Sequence, residues 1–264
     1  MDLKLKNKTA LVTGSTAGIG FAIARALAKE GTKVIINGRT ADRVYQAVER
    51  LKKETGNPDI KGIAADFSDK AQIQQIIDQV PEVDILINNV GIFEPKAFNK
   101  ITDEDWFKFF EINVLSGIRL ARAYFDRMIK KNWGRIIFIS SESGIQIPEE
   151  MIHYGVTKTA QIAVARGLAE LTRCTAVTVN TVLPGPTFSE GVGTFLKDLA
   201  TEKDETIEQI EKGFFQTVRP TSILQRFIDP DEIASLVAYL SSDLSIATNG
   251  AAVRADGGAV KSAF

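Results

Sequence analysis

The sequence predicts an α/β fold: a doubly wound parallel sheet with helices on both faces. Three observations predict it. Short runs rich in β-branched residues are apolar throughout rather than alternating, longer stretches of helical period lie between them, and the two kinds of segment alternate along nearly all 264 residues. A strand that is apolar on both sides is buried on both faces, and parallel neighbours need the long crossover that a helix supplies.

The elements follow in order. Strand 9–14 (TALVTG) leads into a helical stretch at 19–31, which Gly31 closes. Strand 33–38 (KVIING) precedes a helix over 41–56, ended by Gly56 and Pro58. Strand 60–66 (IKGIAAD) and helix 71–80 come next, then strand 83–89 (VDILINN). A long helical stretch, 104–132, starts after Thr102, where a hydroxyl cap and the acids Asp103, Glu104 and Asp105 suit a helix N-terminus. Strand 134–140 (GRIIFIS), helix 155–173, strand 176–185 (AVTVNTVLPG) and strand 251–258 (AAVRADGG) complete the pattern. No linker or repeat interrupts it, so residues 1–264 read as one domain. Residues 186–225 alone break the alternation: they are charged, partly helical in period and follow a strand end. An insertion there overhangs the carboxyl edge of the sheet, where ligands bind in such folds, and reads as a lid over a substrate.

Bulk properties narrow the function. The chain is 44% hydrophobic and 25% charged with a net charge of −1, and its basic residues are dispersed, which argues against a nucleic-acid or membrane surface. The one cysteine, Cys174, makes no internal disulfide, and with a single histidine it leaves no zinc set, so no metal is expected. Neither a signal peptide nor a run of some 18 apolar residues is present, and a cytoplasmic setting is expected.

The first strand runs into TGSTAGIG (13–20). On a strand–turn–helix transition, Gly14 permits the tight turn, Gly18 lets the backbone approach a pyrophosphate, and Gly20 lets the helix pack on the sheet. The amides from Thr16 to Ile19, with the hydroxyls of Ser15 and Thr16 beside them, then face phosphates along a favourable dipole. This is a Rossmann-like dinucleotide cradle. A free ribose 2′-hydroxyl is usually read by an acid at the end of the second strand. Here Gly38 stands in that place and Arg39 follows, and a guanidinium suits a phosphate dianion, so NADP(H) is favoured with NAD as the alternative.

Further strings occur in a set order: AADFSD (64–69), NNVG (88–91), Asn113 in EINVLSG, SSESG (140–144), YGVTK (154–158), VNTVLPGPT (179–187), DPDEIASLVAYLSSD (229–243) and RADGG (254–258). With the glycine loop they make the chain resemble the short-chain dehydrogenase/reductase family in its single-domain form, 3-oxoacyl-reductase-like members included. The resemblance implies roles. Tyr154 would be the general acid/base, and Lys158 would lower its pKa and bind the nicotinamide ribose. Ser141, rather than Ser140, would hold the substrate oxygen, and Asn113 a water linking Lys158 to solvent. Asp66 and Phe67 would contact the adenine, and Asn89 and Gly91 would flank its ribose. Pro184, Gly185, Thr187 and Ser189 would hold the nicotinamide and its carboxamide. It also implies a homo-oligomer, a tetramer or a dimer, packed through the helices at 104–132 and 155–173 and through the last strand.

Three departures stand out: Val90 in NNVG adds bulk near the cofactor, Ser189 keeps a hydroxyl where threonine is commoner, and Ala17 stands where many NADP-dependent members are basic. The chemistry agrees with the residues. A carbonyl gaining a hydride needs a proton, a free tyrosine titrates near pH 10, and a lysine one helical turn away favours the phenolate. Ser141 can donate to the developing oxyanion. His153 reads as an uninvolved neighbour. Glu142 either lines the pocket or, as is commoner for such a residue, points to solvent, and Phe188, Phe195, Phe214 and Phe215 read as lid core. The expected activity is interconversion of a small carbonyl substrate and its alcohol. An NAD-dependent secondary-alcohol dehydrogenase, a catalytically silent dinucleotide sensor or scaffold, and a lyase or epimerase on the same scaffold stay open.

Overall fold

A computed structural model describes residues 2–263. Seven parallel strands form one sheet in the order β3-β2-β1-β4-β5-β6-β7. They are β1 (Thr9–Val12), β2 (Lys33–Gly38), β3 (Ile60–Ala64), β4 (Ile85–Asn88), β5 (Gly134–Ile139), β6 (Val177–Pro184) and β7 (Ala252–Ala255). The order reverses between β1 and β4, and the glycine loop leaves β1 at that point. A crevice opens there because the crossovers on either side depart to opposite faces.

Successive strand residues serve opposite layers. Ala10 and Val12 pack with α1 (Gly18–Lys29), α2 (Ala41–Thr55) and α9 (Pro230–Leu240), while Leu11 packs with α3 (Lys70–Gln79), α5 (Ser116–Lys131) and α6 (Ile152–Glu170). That two-sided burial is why the inner strands are predominantly apolar, while the edge strands β3 and β7 are partly exposed. Helix ends use the expected chemistry: Gly31 and Gly56 take positive φ after α1 and α2 (75° and 69°), and Thr102 forms a capping box with Asp105 at α4 (Asp103–Phe110).

Two predicted helices differ. The stretch 104–132 is not one α-helix: a π-turn at Glu111–Leu115 separates α4 from α5. Tertiary bonds hold the wider turn, since Asn113 bonds both polar groups of the Ile92 backbone (2.8 and 3.0 Å) and its carbonyl accepts from Gln161 Nε2 at 2.6 Å. Helix α6 starts at Ile152, three residues before its predicted start, and so includes Tyr154. The last strand is shorter than 251–258 because Gly257 and Gly258 turn the chain with φ of 62° and 75°.

Residues 186–225 hold two helices, α7 (Glu190–Lys203) and α8 (Ile207–Thr217). Their own apolar cluster contains Leu196, Ile210, Phe214, Phe215 and Phe227. Phe188 is half exposed and meets Phe227 edge-on, and the side chain of Phe195 lies outside the described residues. A parallel bridge between Thr187 and Ile228 closes the base of this excursion. At the other end of the chain Val260 is buried, residues 261–263 are exposed, and Phe264 is outside the described residues. Among the described residues no helix is long and apolar enough to cross a membrane.

Candidate active site

The glycine loop is built on close approaches. Gly14 and Gly18 take φ of 59° and 56°, and a Cβ on Gly20 would lie 2.4 Å from the Gly14 carbonyl oxygen. Ser15 is fully buried, its hydroxyl donating to the Val12 carbonyl and accepting from the Asn37 amide (2.6 and 3.0 Å). Asn89 Nδ2 donates to the carbonyls of Thr13 and Gly14 (2.9 and 3.0 Å), which fixes the loop against the end of β4. Helix α1 opens at Ala17 with no side-chain cap and no acid in its first turn. Its amino end, with Ala17, Gly18, Ile19 and Gly20, lines an open cleft together with Asn89, Ser189 and Arg43. Such an end is suited to an anion.

Arg39 lies exposed after β2, and a Cβ on Gly38 would meet Thr16 at 2.4 Å, so the strand end packs directly on the loop. Arg43 is exposed in the first turn of α2, where a cation opposes the helix dipole. Neither arginine forms a salt bridge among the described residues. Sequence reasoning named Arg39 and missed Arg43, whose signal was a basic residue four positions on, at a helix start. It also missed Asn37, which is buried, accepts from the Gly14 amide at 3.2 Å and donates to the carbonyls of Ile63 and Ala65 (3.1 and 3.2 Å).

The remaining predicted residues gather along the same carboxyl edge. Asp66 accepts from the Ser68 amide and hydroxyl (2.9 and 2.8 Å), bonds that hold its carboxyl below the usual range. The Phe67 ring is buried in the core beneath it. Pro184 ends β6, and Gly185 passes so close to Asp256 that a Cβ would stand 2.6 Å from its carbonyl oxygen. Thr187 bonds the Gly185 carbonyl at 2.9 Å, and Ser189 caps α7.

Tyr154 and Lys158 sit one turn apart on α6, with Lys158 Nζ 5.5 Å from the centre of the Tyr154 ring. Lys158 is buried, donates to the Ile139 carbonyl at 3.0 Å, and lies beside Gly91, where a Cβ would come within 3.2 Å of Nζ. Burial lowers its pKa to about 8. Burial also pushes the Tyr154 phenol well above its ordinary value; the Ser141 hydroxyl opposes that shift, Glu142 adds to it and Arg219 opposes it. Burial is the first cause of both shifts, and it favours the neutral phenol, opposite to the lowering expected from the lysine. Ser140 donates to the Lys158 carbonyl at 2.8 Å and is tied to the helix, whereas Ser141 faces Tyr154. Asn113 Nδ2 also donates to Thr157 Oγ1 at 3.0 Å, which locks the π-turn onto α6.

Glu142 does not point to solvent. It is 6% exposed, bonds Ser141 and Ser143, and pairs with Arg219 at 3.0 Å. A partner 77 residues away left no local sequence signal.

His153 is fully buried, its ring centre 4.0 Å from that of Phe109 and 6.1 Å from that of Trp106, and neither ring nitrogen has a hydrogen-bond partner. Desolvation depresses its pKa, while the charges of Asp105 and Glu94 act in the opposite sense. With the folded pKa below the unfolded value of about 6.5, its contribution is fully present above that pH and is lost as pH falls toward the folded value, at up to about 1.4 kcal/mol per unit. Thermal stability of the parent is expected to weaken between pH 7 and 5. The His153→Leu variant should lose part of that slope, and an unchanged slope would refute the assignment.

Comparison with known proteins agrees with this geometry. A family model described as short chain dehydrogenase matches residues 8–200. The chain is 51% identical over 264 residues to the uncharacterized oxidoreductase YvaG of Bacillus subtilis, covering 100% of both. Its fold is similar to L-sorbose reductase from Gluconobacter frateurii complexed with NADPH and L-sorbose, with TM-score 0.92, 29% identity, and 99% and 100% of the two chains covered. It is also similar to a single-site variant of actinorhodin polyketide ketoreductase with NADPH, with TM-score 0.84, 27% identity, and 96% and 97% covered. A relative matching end to end at half identity, and a family model spanning the loop, the strand ends and α6, lead to one conclusion: the chain belongs to the short-chain dehydrogenase/reductase family and is an NAD(P)-dependent oxidoreductase.

Proposed function

We propose that the protein is an NADP(H)-preferring reductase of a ketone or aldehyde, reversible to the alcohol, with Tyr154 as general acid/base. The observation that carries this is the group of buried Ser141, part-buried Tyr154 and buried Lys158 at the same sheet edge as the glycine loop. The absence of Cβ atoms at Gly14, Gly18 and Gly20 and the uncapped start of α1 fit a dinucleotide pyrophosphate. Arg39 and Arg43 would hold a ribose phosphate, Lys158 the nicotinamide ribose, and Thr187 and Ser189 the carboxamide end. When bound, the dihydronicotinamide supplies the hydride.

The chain's own residues do the rest. Tyr154, kept protonated by burial, gives its proton to the carbonyl oxygen as charge develops there. Lys158, cationic below pH of about 8, then stabilises the phenolate left behind. Ser141 holds the oxygen in line. The α7–α8 excursion serves as the lid that excludes water. The NADPH in both solved neighbours supports the cofactor preference, and the sugar ketone in one makes hydroxylated ketones the first substrates to try.

The test is a fluorescence titration with NADPH and NADH, followed by turnover on diacetyl, dihydroxyacetone, L-sorbose and an oxoacyl thioester. NADPH should bind about tenfold or more tightly, worth about 1.4 kcal/mol or more. The double substitution Arg39→Ala/Arg43→Ala should erase that preference and leave NADH affinity unchanged. An unchanged preference would remove the NADP assignment, and tight cofactor binding without turnover on any carbonyl would favour a silent dinucleotide sensor.

A further inference from the structure

We propose that Glu142 and Arg219 are a positioning pair: Glu142 orients the Ser141 hydroxyl, and Arg219 balances its charge beside Tyr154, so that proton transfer depends on the segment beyond α8. The inference rests on Tyr154 being the acid/base.

The geometry is specific. Glu142 Oε2 accepts from Ser141 Oγ and the Ser143 amide, both at 2.5 Å, and from Ser143 Oγ at 2.7 Å. Three donors on one oxygen leave the carboxylate no rotamer freedom. The Ser141 proton is thereby directed at Glu142 until a substrate oxygen competes for it, and because Ser141 Oγ also accepts from the Ser143 amide at 3.1 Å, one lone pair remains for the phenol it faces. Glu142 Oε1 accepts from Arg219 Nε at 3.0 Å, while Arg219 Nη1 bonds Glu150 Oε1 at 3.2 Å and the Val218 carbonyl at 2.9 Å. Arg219 lies just beyond α8, on the excursion that leaves the sheet after β6.

As a stabilising device this is a poor choice. A buried ion pair roughly breaks even against an apolar replacement, because both charges must leave water. Its place against the reacting hydroxyls gives it another use. The charged groups facing Tyr154 are Lys158 from α6, Glu142 from the turn after β5, and Arg219 from beyond α8, with Glu150 behind Arg219. Phe93, from the loop after β4, contributes only a ring edge. A bare carboxylate beside the phenol holds its proton on and suppresses the phenolate. The guanidinium offsets that effect only while the α8 segment is seated. Seating of this segment and readiness of the proton are thus one event.

The experiment is a titration of tyrosinate absorbance with NADP bound, each protein read as the difference from its Tyr154→Phe counterpart. Removing the carboxylate (Glu142→Gln) should lower the Tyr154 midpoint by about one unit, and removing the guanidinium (Arg219→Gln) should raise it by about as much. The double variant should return to the parent midpoint, and Arg219→Lys should stay near it. With diacetyl as probe, the pH limb of kcat should move in the same directions. A pair that merely anchored the segment would leave both midpoints in place, or leave the double variant as displaced as Arg219→Gln; either result overturns the proposal. Should Arg219→Gln not fold, Glu142→Gln decides alone, because its shift has the opposite sign to a loss of packing. Turnover retained in Tyr154→Phe would instead sink the acid/base reading. An inactive Tyr154→Phe with unmoved midpoints would sink only the pair.

Discussion

Tyr154→Phe is expected to lower kcat by about three orders of magnitude, the usual weight of a positioned general acid, and to change NADPH affinity by no more than about threefold. The ring stays, so its edge contact with Phe93 (6.3 Å between centres) and the packing of α6 stay with it. What disappears is one hydroxyl, the proton source proposed for the carbonyl oxygen. A loss confined to kcat marks an interaction made in the transition state and not in the ground state. Steady-state kinetics with a cofactor titration reads both quantities, and substantial residual turnover would reassign the proton donor.

The second large effect concerns Lys158, and it runs in two directions. A pKa of about 8 against an ordinary value of 10.5 means that at pH 7 the fold carries the cost of a desolvated ammonium, about 3 kcal/mol. Because the folded pKa is depressed, the fold is favoured by this group above the unfolded value, and that advantage is lost as pH falls through 10.5 toward 8. Lys158→Met keeps the volume and discards the charge. The variant should therefore unfold at a higher temperature than the parent at pH 7, and it should bind NADPH weakly with almost no turnover. Apo thermal unfolding with a cofactor titration tests this; a less stable variant with parental affinity would return Lys158 to a packing role. A more stable variant with lost binding and turnover would make the residue a case of stability given up for function.

The legibility of this site in the sequence follows the range of the physics. Gly14, Gly18 and Gly20 were readable because positive φ and sub-van-der-Waals approaches admit only glycine, whatever the distant structure. The Tyr154–Lys158 pairing was readable because it obeys helical spacing, and the inner strands β1, β2, β4, β5 and β6 because they are buried on both faces, whereas the edge strands β3 and β7 are partly exposed. Glu142 was not, because its burial is set by a guanidinium 77 positions away. Nor was the π-turn at Asn113, whose widening is held by bonds to Ile92 and Gln161 rather than by local propensity. Arg43 escaped because its neighbours in the cleft, Gly18 and Ser189, come from elements that only folding brings beside it. Phe214 and Phe215 were placed correctly inside the helical pair, yet their stacking partner Phe227 lies past the predicted end of the segment.

The bridge between Thr187 and Ile228 has a consequence for how such a chain can diversify. Once both ends of the excursion are stapled at the rim of the sheet, inserting or deleting residues between them alters only loop-closure entropy, about 0.6 kcal/mol for a doubling of length. The excursion keeps its own apolar cluster, so changes within the helical pair are largely absorbed there, and the ion pair of Arg219 with Glu142 is the point at which they would reach the turn after β5. The fold thus separates an interchangeable cassette from a fixed chassis: the helical pair can be rewritten while the sheet, its two layers and the Arg219–Glu142 contact are kept.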